Sequence, residues 1–206
     1  QLESIRKHCP KCRYYNAGSS EEFGDVVKSP QTEEHPLRPR SPYGASKCAA
    51  RHLVKVYRDS YDIYAVQGWL FNHEGIRRGS EFVTRKITQN VARIYNEYSV
   101  EESFEPLRLG NIEAKRDWSD AEDFVDGVWK MLNQEKHWTH VLWVRDKPQD
   151  YVLSSNETHS IKEFVEEAFN LAGFHRSLCR WKGSGKDTKY YHEDHLLMEI
   201  DPQFYR

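Results

Sequence analysis

Apolar and polar positions change rhythm several times along the 206 residues. Arg13 to Ala17 reads as a short strand that runs into the polar stretch Gly18-Ser19-Ser20-Glu21. A loop punctuated by Pro30, Pro36 and Pro39 follows. Ser41 then offers an N-cap oxygen with Pro42 in the first helical turn, and Ala49, Leu53, Val54 and Tyr57 keep helical spacing to about Ser60. Ile63 to Leu70 is almost continuously apolar, as a strand buried on both faces would be. Strand, helix and strand in this order predict a parallel α/β sheet.

Beyond Leu70 the pattern loosens. Phe71 to Gly79 predicts a loop rich in polar and basic residues, and the segment from about Glu81 to Tyr95 predicts a helix. A short strand is expected at Leu107–Leu109, then a long loop, then a helix capped by Ser119 that runs through Met131 and Leu132. Tyr151–Leu153 reads as a strand, and Ser160 caps a helix that ends at Gly173. Phe174 to Asp194 is polar and is expected to be loop. There is no internal repeat and no low-complexity tract.

Composition narrows the function classes. Hydrophobic residues at 38% allow a core, while 30% charged residues give a very polar surface. A net charge of -2 argues against a nucleic-acid or acidic-membrane binder. No apolar run approaches the length of a membrane span, and QLESIRKHCPKC lacks the pattern of a signal peptide. The Asn156-Glu157-Thr158 sequon therefore reads as a chance match. Cys9 and Cys12 form a Cys-x-x-Cys pair, open to a redox role, half a zinc site or simply a turn entering the first strand. Zinc needs further ligands at sensible spacing, and Cys48 and Cys179 are isolated, so the turn is favoured. A reducing, cytoplasmic setting is expected.

The candidate chemistry begins with Tyr43 and Lys47, one turn apart on one helix face. A phenol with an ordinary pKa near ~10 is too weak an acid for proton transfer at neutral pH, and a neighbouring ammonium favours its phenolate. Such a pair alone is equally a solvated helix face. Its place raises its value, because ligands of open α/β sheets sit beyond the carboxyl ends of the strands. The first strand delivers Ser19, Ser20 and Glu21 there, the following helix opens there with Tyr43 and Lys47, and the second strand delivers Asn72, His73 and Glu74.

These residues carry a resemblance. Tyr43-Gly-Ala-Ser-Lys47 resembles the Tyr-x-x-x-Lys motif of short-chain dehydrogenases/reductases, with Ser19 at the position of their catalytic hydroxyl. Ser19-Ser20-Glu21 resembles the narrower Ser/Thr-x-Glu motif of sugar-nucleotide dehydratases. Leu70-Phe-Asn-His-Glu74, Arg77-Arg78-Gly79, Phe82-Val-Thr-Arg-Lys-Ile87, Leu109-Gly-Asn111 and Arg116-Asp-Trp118 are closely similar to GDP-mannose 4,6-dehydratases. The tail Glu199-Ile-Asp-Pro-Gln-Phe-Tyr-Arg206 is similar to a segment beyond which that family continues. The resemblance implies a partial Rossmann-like parallel sheet with a smaller α/β substrate-binding domain. Residues 1–75 would complete the dinucleotide-binding domain, and residues 76–206 would mainly bind substrate, with some segments returning to the sheet.

The resemblance also implies roles. Tyr43 deprotonates the C4 hydroxyl of GDP-mannose as hydride passes to NADP, Glu21 removes the C5 proton as water leaves C6, and hydride then returns to C6. Ser19 hydrogen-bonds the C4 oxygen, and Lys47 tunes Tyr43 and holds the nicotinamide ribose. Tyr43, Lys47, His73 and Arg78 would contact the cofactor. Ser20, Asn72, Val83, Arg85, Lys86, Asn111 and Arg116 would contact the substrate, with guanidinium forks matched to phosphate oxygens. Lys86 is open to a second reading, as part of the wet face of its helix. The full-length protein would be a homodimer or homotetramer.

No Gly-x-Gly-x-x-Gly turn stands between a strand and a helix, and Gly183-Ser-Gly185-Lys186 is too short for a phosphate loop. The expectation is a fragment whose glycine-rich cofactor module precedes Gln1 or is encoded separately. Alone, such a piece is expected to be inactive, and poorly soluble or oligomeric because a sheet edge is open. Two other readings stay open: a sugar-nucleotide epimerase, against which Glu21 and the Asn72-His73-Glu74 segment discriminate, and a non-catalytic binding or assembly module.

Overall fold

The computed structural model describes residues 1–100, 103–134 and 147–205. Arg206 of the C-terminal segment lies outside the described residues. The chain divides into two compact units, residues 1–75 with 117–157, and residues 76–116 with 158–206.

The first unit is built on β1 (Tyr14–Ser19), β2 (Ala65–Leu70) and β3 (Asp150–Leu153), parallel throughout in the order β1-β2-β3. Every residue of β2 except Leu70 is buried, as its nearly continuous apolar run predicts for a central strand. Between β1 and β2 the chain crosses over through α1 (Pro42–Tyr61). Ser41 caps it, its hydroxyl accepting from the Gly44 amide at 3.0 Å, and Asp62 in the left-handed region ends it. Strand, turn, capped helix and strand stand where the sequence puts them.

The inner face of α1 differs from a plain apolar stripe. Ala49 and Leu53 face solvent, and the helix turns Gly44, Lys47, Arg51, Val54 and Arg58 inward. Arg51 and Arg58 each donate to Asp150 at 2.8 Å, and all three side chains are largely buried. The helix is thus riveted to the start of β3 by two charge-assisted bonds. Val54 packs with Ile63 and Ala65, and Leu2, Ile5 and Tyr57 close that cluster. Leu2 and Ile5 belong to a short helix, Leu2–His8, that precedes β1 and was not expected.

Two further expectations are corrected here. The Phe71–Gly79 loop contains a strand, β4 (Asn72–Glu74), paired in parallel with β5 (Trp118–Asp120). Its partner lies more than forty residues downstream, so no local pattern marks it. The helix α2 (Ala121–Leu132) is capped by Asp120, whose carboxylate accepts from the Glu122 amide at 2.7 Å, and not by Ser119. Ser119 is held in β5 opposite His73, which moves the cap one residue on.

The second unit contains α3 (Val83–Ser99) and α4 (Ile161–Leu171), packed together around Ile87, Val91, Ile94, Val165 and Phe169. Ser160 caps α4 in a reciprocal box, its hydroxyl accepting from the Glu163 amide while the Glu163 carboxylate accepts from Ser160. The stretch Phe174–Asp194 is not loop. It holds β6 (Cys179–Lys182) and β7 (Lys189–His192), which join β8 (His195–Ile200) and β9 (Leu107–Leu109) in a sheet of order β9-β8-β7-β6. The strands are polar because only alternate residues face inward, with Trp181, Tyr190 and His192 covered and Arg180 and Lys182 outside. Gly183-Ser-Gly185-Lys186 is the turn of this hairpin, with Gly183 and Gly185 at positive φ. The long loop after Leu109 also carries a two-residue strand, Lys115–Arg116, antiparallel to His159–Ser160.

The Arg51–Asp150–Arg58 cluster makes a stability prediction. Asp150→Ala leaves two largely buried guanidinium groups without their anion and should cost about 3–5 kcal/mol. Urea unfolding of the purified chain, parent against variant, measures it, and a loss under ~1 kcal/mol would show that water replaces the carboxylate freely.

Candidate active site

β1 ends at Ser19, opposite Leu70 at the end of β2, so both parallel strands stop together. The turn Ser20–Glu22 follows directly as a single 3-10 turn. Ser19 caps it, accepting from the Glu21 amide at 3.3 Å, while the Glu22 carboxylate reaches back to the Ser19 amide at 2.9 Å. This is the Ser-x-x-Glu capping box in its smallest form. Ser19 and Ser20 are half-buried, and Glu21 is exposed.

The first turn of α1 lies directly on this turn. Ser41 Oγ donates to Glu21 Oε2 at 2.9 Å while also capping its own helix. A methyl group at Gly44 would come within 2.7 Å of the Glu21 carbonyl oxygen, so the helix approaches as closely as a glycine permits. Tyr43 projects from this turn with its side chain half open to solvent. One turn on, the Lys47 ammonium stands 5.6 Å from the centre of the Tyr43 ring and donates to the Ala17 carbonyl at 2.9 Å. Ser19, Ser20, Glu21, Tyr43 and Lys47 are therefore brought together at the carboxyl edge of the sheet.

Asn72 and His73 follow β2 at that edge, in β4. The His73 ring is fixed twice, by a 2.9 Å bond between Nδ1 and the Phe71 carbonyl and by stacking on Phe124 at 5.0 Å. That carbonyl can only accept, so Nδ1 donates in this bond.

The remaining candidates belong to the second unit. Arg78 lies 3.5 Å over the Phe82 ring, just ahead of α3. Val83, Arg85 and Lys86 occupy the first turn of that helix, all partly covered, and the Lys86 ammonium sits 4.5 Å over Phe204. Lys86 is accordingly not a freely solvated side chain. Asn111 follows β9 and accepts from the Glu113 amide at 3.0 Å. Arg116 is exposed and donates to the Lys115 carbonyl.

Three residues important to this geometry were not singled out from sequence as parts of a site. Glu22 lies under the turn with no exposed surface, and Ser41 bonds Glu21 besides capping α1. Asp117, also buried, accepts from the Ser155 amide and hydroxyl and from the Asn156 amide at 2.9–3.0 Å. Each lay in a stretch with a local signal, Glu22 in the Ser-x-x-Glu spacing, Ser41 in the Ser-Pro cap and Asp117 in Arg116-Asp-Trp118, but none of these signals assigns a place in the site. Among the described residues no group of three or more His, Cys, Asp or Glu is placed to hold a metal, and all four cysteines are free. No described helix is long and apolar enough to cross a membrane.

Solved structures share this architecture at low sequence identity. The structure of RMD from Pseudomonas aeruginosa complexed with NADPH superposes with a TM-score of 0.74 at 20% identity, over 99% of this chain and 59% of that one. The dTDP-glucose 4,6-dehydratase of Bacillus anthracis in complex with NAD gives 0.69 at 22% identity, over 84% of this chain and 49% of that one. The fold is thus the α/β class with a Rossmann-like parallel sheet found in nucleotide-sugar dehydratases. Sequence narrows the class: a family model for GDP-mannose 4,6 dehydratase matches residues 1–206. GDP-mannose 4,6 dehydratases of Drosophila melanogaster, Dictyostelium discoideum and Homo sapiens are 42%, 43% and 41% identical over 94–95% of this chain. The chain belongs to the GDP-mannose 4,6 dehydratase family, and it spans about half the length of these relatives, 45–50%.

The contact between α1 and the turn is testable. Gly44→Ala forces the added methyl against the Glu21 backbone and should destabilise the chain by about 1–3 kcal/mol. The urea midpoint of the variant measures this, and an unchanged midpoint would mean that the helix end is not seated on the turn.

Proposed function

We propose that the chain carries the catalytic half of a GDP-mannose 4,6-dehydratase, which converts GDP-mannose to GDP-4-keto-6-deoxymannose and water. The observation that supports this most is the meeting of Ser19, Glu21, Tyr43 and Lys47 at one sheet edge in a member of that family. A hydroxyl, a carboxylate, a phenol and an ammonium at one sheet edge are the groups that alcohol oxidation followed by elimination requires.

Tyr43 takes the proton of the sugar C4 hydroxyl, with the Lys47 ammonium 5.6 Å from the centre of its ring. Ser19 hydrogen-bonds the C4 oxygen as it gains carbonyl character. The resulting ketone acidifies C5–H, and Glu21, exposed and oriented by Ser41, removes that proton and passes it to the C6 hydroxyl, which leaves as water. A nicotinamide cofactor, for which we assign NADP, supplies the hydride acceptor and donor. Tyr43, Lys47, His73 and Arg78 are its contacts in this reading. His73 suits that role, because its ring is held in one orientation. The chain has no glycine-rich strand–helix turn for the pyrophosphate, so these residues account for the nicotinamide end only.

Ser20, Asn72, Val83, Arg85, Lys86, Asn111 and Arg116 are assigned to the substrate, with the two arginines on the diphosphate. The Lys86 ammonium sits 4.5 Å over the Phe204 ring, which suits a positioned positive charge. A homo-oligomer and a cytoplasmic setting complete the proposal. Epimerases share the fold and the Tyr-x-x-x-Lys pair, but have no use for a base where Glu21 stands.

The test joins the N-terminal half of the Drosophila relative ahead of Gln1 and follows GDP-mannose turnover with added NADP. Product is expected from the parent fusion, and its absence while the fusion is folded and binds nucleotide would overturn the assignment. In this fusion Tyr43→Phe should lower kcat by about 10²–10⁴-fold with nucleotide binding retained, since it removes a group used in the transition state. Near-parent turnover would exclude Tyr43 as the proton acceptor. Glu21→Gln keeps the shape and removes the base, so reduced nicotinamide should accumulate while the 6-deoxy product does not. Formation of product at the parent rate would remove Glu21 from the elimination step.

A further inference from the structure

Directly beneath the Ser19–Glu21 turn lies a carboxylate that the reaction does not use. Glu22 has no exposed surface, and among the described residues no lysine or arginine forms an ion pair with it. Its partners are three uncharged donors: the Ser19 amide at 2.9 Å and the Gln67 side-chain amide at 3.4 Å on Oε1, and the Trp69 indole N–H at 2.9 Å on Oε2. Gln67 and Trp69 are themselves fully covered, and Gln67 is fixed by Asn16, which donates to it at 2.5 Å. The network therefore runs from β1 through β2 to the catalytic turn with every member oriented by the next.

Room for this carboxylate is built into the strand. A methyl group at Gly18 would run into the Gln67 side chain and stand 2.7 Å from Glu22 Oε1. Gly18 has an ordinary strand conformation, so space explains the glycine here, not φ. A purely structural filler at position 22 would be an apolar side chain, because an unpaired buried charge is costly. A carboxylate accepting N–H bonds from both the turn and the strand does what an apolar side chain cannot, which is to fix the turn in register as well as to fill the space.

We propose that Glu22 is the positioning residue of the catalytic turn, its buried carboxylate holding Ser19 and Glu21 in place through the Ser19 amide and the Trp69 indole. It acts through Ser19 and Glu21 and touches neither substrate nor cofactor. For catalysis the proposal rests on the function proposed above; for structure it stands alone.

Burial is the strongest influence on the Glu22 carboxyl and raises its pKa, against the opposing pull of its N–H donors and of Arg51 and Lys47. The charged and titratable groups facing it from α1 are Lys47, Cys48 and Arg51, and from β1 and β2 the Ser19 amide, the Gln67 amide and the Trp69 indole donate to it. Because the folded carboxyl holds its proton more tightly than the unfolded one, this group favours the folded state increasingly as pH falls through its folded pKa toward the ordinary 4.5. Protonation places a hydrogen on the carboxyl group facing these donors, so the turn should loosen even while the fold as a whole gains from this group.

The test has two arms. Proton–nitrogen correlation spectra of the folded fusion described above, taken across acid pH, should show the Trp69 indole and Ser19 amide resonances moving together, with one midpoint above 4.5. In Glu22→Gln, which keeps the volume and one acceptor oxygen, that shared titration should vanish. If the two resonances do not move together in the parent, or still do so in Glu22→Gln, the proposal fails. Should Glu22→Gln not fold, Trp69→Phe removes only the indole donor, and the Ser19 amide must still titrate in it. The second arm uses the fusion described above: Glu22→Gln should lower kcat roughly 10–100-fold with KM nearly unchanged, as expected of a displaced reacting group. It should also erase the Glu22 limb from the acid side of the kcat profile. Equal kcat and equal pH profiles in parent and variant overturn the positioning role. If the parent fusion makes no product, the functional reading falls by itself, and the spectra decide whether Glu22 holds the turn.

Discussion

The site depends on the parallel pairing of β1 with β2. Parallel neighbours cannot be joined by a tight turn, so the chain must leave Ser19, cross over and come back. The crossover helix therefore begins near the edge where β1 ends. Ser19 and Leu70 stand opposite each other in the register, and the first turn of α1 closes on the residues just beyond Ser19. A one-residue slip of β1 would exchange its two faces and carry Ser19 away from the end of β2. The buried polar chain Asn16–Gln67–Glu22–Trp69 opposes such a slip, since each bond is made only in this register.

The same edge explains why α1 has a charged inner face. A helix that only covered a sheet would bury Leu53 and Val56, yet both are exposed. Lys47 instead reaches the Ala17 carbonyl, and Arg51 and Arg58 reach Asp150. Lys47 is thereby held beside Tyr43 by a backbone acceptor, the Ala17 carbonyl, and not by a carboxylate. Charge neutralisation is left to Arg51 and Arg58, further along the helix and away from the turn.

What was legible in the sequence follows the range of the interactions. The β1–α1–β2 unit was readable because its signals are local: an apolar run, a Ser-Pro cap and a polar stretch after a strand. The strand at Asn72–Glu74 was not, since its partner is Trp118–Asp120 and nothing near Asn72 announces it. The hairpin of β6 and β7 was hidden for another reason. The pleat sends alternate side chains to solvent, so half of its residues are charged or polar. The alternation of Trp181 with Arg180 and Lys182 is too short to stand out in a stretch that is polar throughout. In the site, Tyr43, Lys47, Ser19 and Glu21 were found by spacing and resemblance. Glu22 was passed over because burial of a glutamate beside an exposed one cannot be read from composition.

Glu21 and Glu22 are adjacent in sequence, and their surroundings divide them. Glu21 faces outward, and the bond recorded to its carboxylate is the donation from Ser41, which leaves lone pairs open to an incoming C–H. Glu22 faces inward, and its oxygens are taken up by three donors from β1 and β2. A base must be accessible and must be able to gain a proton without disturbing its own support. Glu22 is covered, and its oxygens already hold the turn in place through their donors. In the proposed reading, two like carboxylates thus take different tasks through environment alone, one open to react and the other bound to hold it there.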